Sequence, residues 1–165
     1  RGHSLKLEKE PTAAEVIEAI GDPSKYNEVV FCGYGDSLVR INEVIEISSW
    51  LKSKNAIVRI NTAGLANKYH KRNILPDLKG IVDVISISLN GSTPQEHNKL
   101  NNPMFAEESF DEIINFAKLA KNYIASVIIT AVELPNLDVS KIEKIAKSVN
   151  ITFRARPYLD EYEEN

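Results

Sequence analysis

The sequence predicts an α/β fold: a parallel five-stranded sheet in an incomplete (βα) barrel. Three observations carry this. Strand-length runs rich in β-branched residues recur along the chain, separated by stretches with helical periodicity. Their spacing is nearly constant, apart from one longer excursion between the third and fourth strands, as right-handed βα crossovers require. Several strands also alternate apolar and polar residues, which leaves one side of the sheet hydrophilic.

The elements follow in order. Thr12 to Ile20 is a helix with Ala13, Val16, Ile17 and Ile20 on one face, Thr12 as N-cap and Glu15 completing a capping box. The strands are expected at Glu28–Cys32, Ala56–Ile60, Val82–Leu89, Ser126–Ala131 and Ile151–Ala155. Leu38 to Leu51 repeats apolar residues at helical spacing, as do Ser109 to Ala120 and Val139 to Val149. A weaker helix is expected over Ala66 to Leu78, and a short one from Thr93 to Leu100 with Pro94 in its first turn.

At 165 residues the chain supports one domain, and its 43% hydrophobic content rules out intrinsic disorder. The run from Asp160 to Glu164 reads as a solvated acidic tail over residues 159–165. A net charge of −3 argues against a general nucleic-acid binder. One cysteine, Cys32, excludes an internal disulfide and any multi-cysteine metal site built from this chain alone. No apolar stretch approaches the roughly 20 residues of a membrane helix, and nothing reads as a signal peptide, so a cytoplasmic setting is the default. The chain opens at Arg1 and its one methionine is Met104, from which a processed product, a tag remnant or a fragment is expected.

The alternation separates two ways of building the sheet. A doubly wound sheet has helices on both faces, and its strands read as nearly continuous apolar runs. Here Val58 and Ile60 oppose Arg59 and Asn61; Ile85, Ile87 and Leu89 oppose Ser86, Ser88 and Asn90. Ile151, Phe153 and Ala155 likewise oppose Thr152, Arg154 and Arg156. A polar face is costly to bury unless paired or wet, so it reads as a concave ligand cleft or as internal salt bridges filling a closed barrel.

Ligands of parallel α/β folds gather at the carboxyl ends of strands. Three of the five ends carry glycine, which admits close backbone approach. Gly33, Tyr34, Gly35 and Asp36 can present carbonyls and a carboxylate to an ammonium group, or form a plain βα turn with Asp36 capping the next helix. Arg59, Arg154 and Arg156 can hold a carboxylate or phosphate, or pair with acids such as Asp83 or Glu133. There is no G-x-G-x-x-G fingerprint and no P-loop lysine. His3, His70 and His97 lack ligand spacing and read as surface or loop residues; Cys32 reads as a buried small hydrophobe.

At these strand ends the sequence resembles radical S-adenosylmethionine (radical SAM) proteins, and is most similar to the branch linked to TatD-family hydrolases. The resemblance rests on VFCGYGDS at Val30–Ser37, VRINTAG at Val58–Gly64 and VISISLNG at Val84–Gly91, with EPTAAEVI at Glu10–Ile17 and FRARPY at Phe153–Tyr158. It implies a partial (βα)6 barrel of TIM-barrel type, with a [4Fe-4S] cluster held by three cysteines spaced C-x3-C-x2-C. S-adenosylmethionine chelates the cluster and is cleaved reductively to a 5′-deoxyadenosyl radical that takes a hydrogen atom from substrate. By resemblance, Gly33, Tyr34, Gly35 and Asp36 receive the methionine amino group. Asn61, Thr62 and Ser88 lie near its carboxylate and ribose, with Asn90 nearby; the last two strands border the adenine.

Two departures stand out. The family usually has Glu-Pro where this chain has Asp36-Ser37, which shortens the carboxylate by a methylene and implies a looser turn. The cysteine triplet is absent, and Cys32 cannot replace it because a cluster needs several converging thiolates. The resemblance therefore implies a fragment lacking the first strand and cluster loop, inactive in the radical reaction. Its partners would be the cofactor and an unknown substrate, with no membrane. The exposed sheet edge would be open to pairing with a second copy. The rival readings are a non-catalytic binding or scaffold module that keeps the barrel but has lost the cofactor, and an ordinary βα-barrel hydrolase or lyase fragment that uses the arginines on an anionic substrate.

Overall fold

The computed structural model describes residues 9–33 and 35–158, so the acidic tail, Tyr34 and His3 lie outside the described residues. Five strands form one sheet: β1 (Val29–Phe31), β2 (Val58–Thr62), β3 (Val84–Ser88), β4 (Ser126–Val132) and β5 (Thr152–Arg156). Every pairing is parallel and the spatial order is β1-β2-β3-β4-β5. A doubly wound sheet reverses its order at a switch point; this one never does. With right-handed crossovers throughout, a sequential order lays every connecting helix on the same side, which is the barrel arrangement.

The helices are α1 (Ala13–Ile20), α2 (Ile41–Ser53), α3 (Ala66–Tyr69), α4 (Pro94–Asn101), α5 (Ser109–Ala120) and α6 (Val139–Ser148). The box at the start of α1 forms as the residues require: Thr12 Oγ1 accepts from the Glu15 amide at 3.2 Å, and Glu15 Oε2 accepts from the Thr12 amide at 2.8 Å. The core lies between the helices and one side of the sheet. Val58, Ile60, Ile85, Ile87, Ile129 and Ala131 are fully buried there, against Leu51, Ile113, Phe116 and Ile142.

Two expectations need correction. β2 runs two residues further than Ala56–Ile60, bringing Asn61 and Thr62 into the sheet; their register partners are Ser86 and Ile87. The helix expected over Ala66 to Leu78 is interrupted. Only Ala66–Tyr69 is α-helical, and Leu75–Leu78 is a separate 3-10 turn. Lys71 takes φ +53, and the Asn67 and Asn73 side chains accept from the Ile74 and Leu75 amides, replacing helical bonds with local caps.

Candidate functional site

The carboxyl ends of the strands form one rim. Beyond β1 the chain leaves the sheet through Cys32 and Gly33, both exposed, and returns through Gly35 into Asp36. Cys32 is thus a solvent-facing thiol rather than a buried hydrophobe, because the strand ends at Phe31, one residue early.

Asp36 closes this turn. One carboxylate oxygen accepts from the Leu38 amide at 3.0 Å, capping the 3-10 turn Ser37–Arg40. The other accepts from Thr62 Oγ1 at 2.7 Å and from the Ala63 amide at 2.8 Å. Thr62 Oγ1 in turn accepts from the Gly64 amide at 3.0 Å. Gly64 sits at φ +77, where a Cβ would lie 2.9 Å from Ile87 Cγ2, so only glycine lets the β2 end press this closely on β3. The turn is therefore not loose. It is tied to β2 by hydrogen bonds that a carboxylate of this length reaches.

The remaining site residues divide by what they touch. Asn61 projects on the polar side of the sheet, with its Oδ1 buried and without a hydrogen-bond partner among the described residues. Ser88 is half-buried and lines a cavity of about 480 Å³. Asn90 is a clamp: its Oδ1 accepts from the Val132 amide at 3.0 Å, and its carbonyl accepts from Asn101 Nδ2 at 2.8 Å. It joins the ends of β3 and β4 to α4. Gly35, Asp36 and Ser88 thus line the cavity and Gly33 faces solvent, Asn61 keeps a buried acceptor, and Asp36, Thr62 and Asn90 brace the frame.

Gly35, Asp36 and Ser88 line this cavity as the expected rim cleft requires, but its apolar walls were not foreseen from the sequence. Asp36, Ala63 and Ser88 form its floor, and Leu65, Tyr69, Met104 and Phe105 its largely apolar walls. The longer excursion between β3 and β4 supplies the outer wall, and the length of that excursion was the available signal. His97 also lines it, but at 3% exposure it is no surface residue. It packs edge-on against Phe110, and burial holds its pKa below the usual histidine value. Gly91 makes this packing possible, since a Cβ there would lie 2.4 Å from the His97 amide nitrogen.

On the polar side of the sheet, Arg59 Nε donates to both Glu28 oxygens, at 3.0 and 2.9 Å, and Arg59 Nη1 donates to Ser86 Oγ at 3.1 Å. Pairing is thus the fate of Arg59, though its partner is Glu28 and not Asp83 or Glu133. Asp83 is held by Lys52 Nζ at 2.8 and 2.9 Å.

A family model described as the Radical SAM superfamily matches residues 3–149. No curated protein matches the sequence. Among solved structures, the chain is similar to one titled "Structure of TYW1 with a lysine-pyruvate adduct bound", with a TM-score of 0.64 at 12% identity. The match covers 88% of this chain and 48% of that one, so this chain spans about half its length. At that identity the likeness shows the fold, a radical SAM partial barrel with its five-stranded parallel sheet. With most of its length matched by the family model and its sheet wound in the same way, the chain belongs to the radical SAM superfamily.

Proposed function

We propose that this chain is the S-adenosylmethionine-facing wall of a radical SAM barrel, and that the cysteine ligands of the [4Fe-4S] cluster lie outside it. The residues present do not fit the cluster. The chain has one cysteine, and among the described residues no three His, Cys, Asp or Glu side chains converge to hold a metal. Reductive cleavage of the cofactor is therefore not expected of this chain alone. The cofactor itself fits better. Gly33 and Gly35 leave backbone groups approachable at the β1 rim, Ser88 offers a hydroxyl, and Asn61 offers an acceptor.

The observation that carries this reading is Asn61 Oδ1, an acceptor buried on the polar side of the sheet without a partner among the described residues. A buried acceptor is normally satisfied, and a ligand hydroxyl or ammonium would satisfy this one. Isothermal titration with S-adenosylmethionine tests it. Weak, saturable binding is expected, because cluster chelation is missing, and Asn61→Ala should weaken it about three- to tenfold. Tight binding would show that affinity does not depend on the cluster, and an unchanged Asn61→Ala isotherm would remove Asn61 from the site.

One observation favours the rival reading of a non-catalytic barrel-derived module. The Asp36 carboxylate is already engaged by three donors of its own chain. Absence of saturable binding would decide for that module. The words at Val30–Ser37, Val58–Gly64 and Val84–Gly91 support placement in the TatD-linked branch. A lone cysteine accords with a cytoplasmic setting, and among the described residues no helix is long and apolar enough to cross a membrane. Among the described residues β1 and β5 each pair on one side only, which supports self-association through an edge.

A further inference from the structure

Three arginines project from the hydrophilic side of the sheet, and only one is neutralised. Arg59 is consumed by Glu28 and Ser86. Arg154 and Arg156 share that side of β5, two residues and about 6.6 Å apart along the strand. Neither has an ion-pair partner among the described residues. Arg156 Nε is buried with no hydrogen-bond acceptor among the described residues. The acids that could have answered them are occupied or turned away: Asp83 holds Lys52, and exposed Glu133 forms no ion pair among the described residues. Register places Thr130 beside Arg154, Ser88 beside Thr130 and Val132 beside Arg156, so the neighbours are hydroxyls and an apolar side chain and not carboxylates.

Arg154 is exposed and hydrated, but half-buried Arg156 holds an Nε withdrawn from water without an acceptor, which is costly, and the two like charges on one side of the strand repel. An anion between them relieves both. We propose that Arg154 and Arg156 form a binding site for a phosphate or carboxylate group carried by the substrate. Guanidinium forks a dipeptide apart suit the paired oxygens of such a group. The site is separate from the β1 rim, where the cofactor's amino end is placed: β5 lies four inter-strand steps away, about 19 Å along the sheet. This inference rests on reading the polar side as a ligand cleft, and it names the class of molecule the cleft takes.

The test is titration of the chain with inorganic phosphate and with pyrophosphate at low ionic strength, followed by calorimetry and phosphorus NMR. Saturable one-to-one binding is expected, weakened about tenfold or more in Arg154→Gln and in Arg156→Gln. Arg154→Lys and Arg156→Lys, which keep the charge and lose the fork, should fall between. Arg72→Gln makes the same charge change on a residue already paired with Asp77 and should leave binding unaltered. Thermal melts of every variant accompany the titrations, and the lysine pair stands in for any glutamine variant that loses stability. Absence of phosphate binding, or equal weakening by Arg72→Gln, overturns the proposal. Parallel titration with S-adenosylmethionine separates the two possible anions. If the β5 variants lose the cofactor but keep phosphate, they bind the cofactor's own carboxylate and the proposal fails. Failure of wild type to bind S-adenosylmethionine while phosphate still titrates would defeat the cofactor reading and leave the anion site standing.

Discussion

Replacing Asp36 by alanine separates a bracing carboxylate from a ligand-holding one. The structure predicts a large cost in stability. The change removes the cap on the Leu38 amide, worth about 1 kcal/mol. It also removes a charge-assisted bond from the hydroxyl of Thr62, a residue only 4% exposed, worth about 1.5–3 kcal/mol. The Ala63 amide belongs to an exposed residue, so water replaces most of that third bond. The total is about 3 kcal/mol, equivalent to a fall of about 9 °C in melting temperature for a chain of this size. Urea denaturation followed by circular dichroism measures it. Asp36→Asn keeps an acceptor for the cap and should lose about half as much. A loss below about 0.5 kcal/mol for the alanine variant would refute the argument, since surface substitutions outside such networks fall in that range.

Other perturbations follow from the same geometry. Gly91→Ala places a Cβ 2.4 Å from the His97 amide nitrogen and should cost about 3 kcal/mol or more, read by urea midpoint, with the near-ultraviolet signal of the excursion altered. His97 has its pKa lowered by burial, so the unfolded chain binds the proton more readily. Stability from this group is fully present above the unfolded value near 6.5 and declines as pH falls through it. The urea midpoint should therefore drop between pH 7.5 and 5.5 in wild type, and less in His97→Gln; equal slopes would remove His97 as the cause. Arg59 and Glu28 form a partly buried pair, with side-chain exposures of 16% and 35%. A double-mutant cycle with Arg59→Met and Glu28→Gln should show a coupling of about 1 kcal/mol that shrinks with added salt.

The sequence carried the sheet's polarity because alternation is a local property: each residue's face follows from its neighbours two positions away. Arg59 and Asn61, against Val58 and Ile60, are read without any tertiary knowledge. Pairing is not local. Arg59 finds Glu28 because β1 lies beside β2 in register, with Val30 opposite Arg59, across 31 positions of chain. That left ligand holding and pairing equally open for each arginine until the strands were set side by side. The broken helix after Ala66 failed for another reason. Apolar spacing continued through Ile74, Leu75 and Leu78, but two asparagine side chains offered the backbone a competing set of bonds. Pro76, in the first turn of the later piece, was the warning. His97 sits in a helix whose only apolar residues are Pro94 and the exposed Leu100, so no periodicity announced which side would be buried.

The unbroken strand order has a consequence for how this chain assembles. Each strand's sheet partner is also its nearest strand along the chain, so every unit that forms can dock on the one before it without waiting for a remote segment. A nick in the excursion between Ser88 and Ser126 would leave two pieces, joined by the ladder from Val84–Ser126 to Ser88–Thr130, by the Asn90 clamp on Val132 and by the shared hydrophobic layer. Such pieces should find one another again in solution. A sheet of this kind grows and divides like a row of bricks, one course at a time.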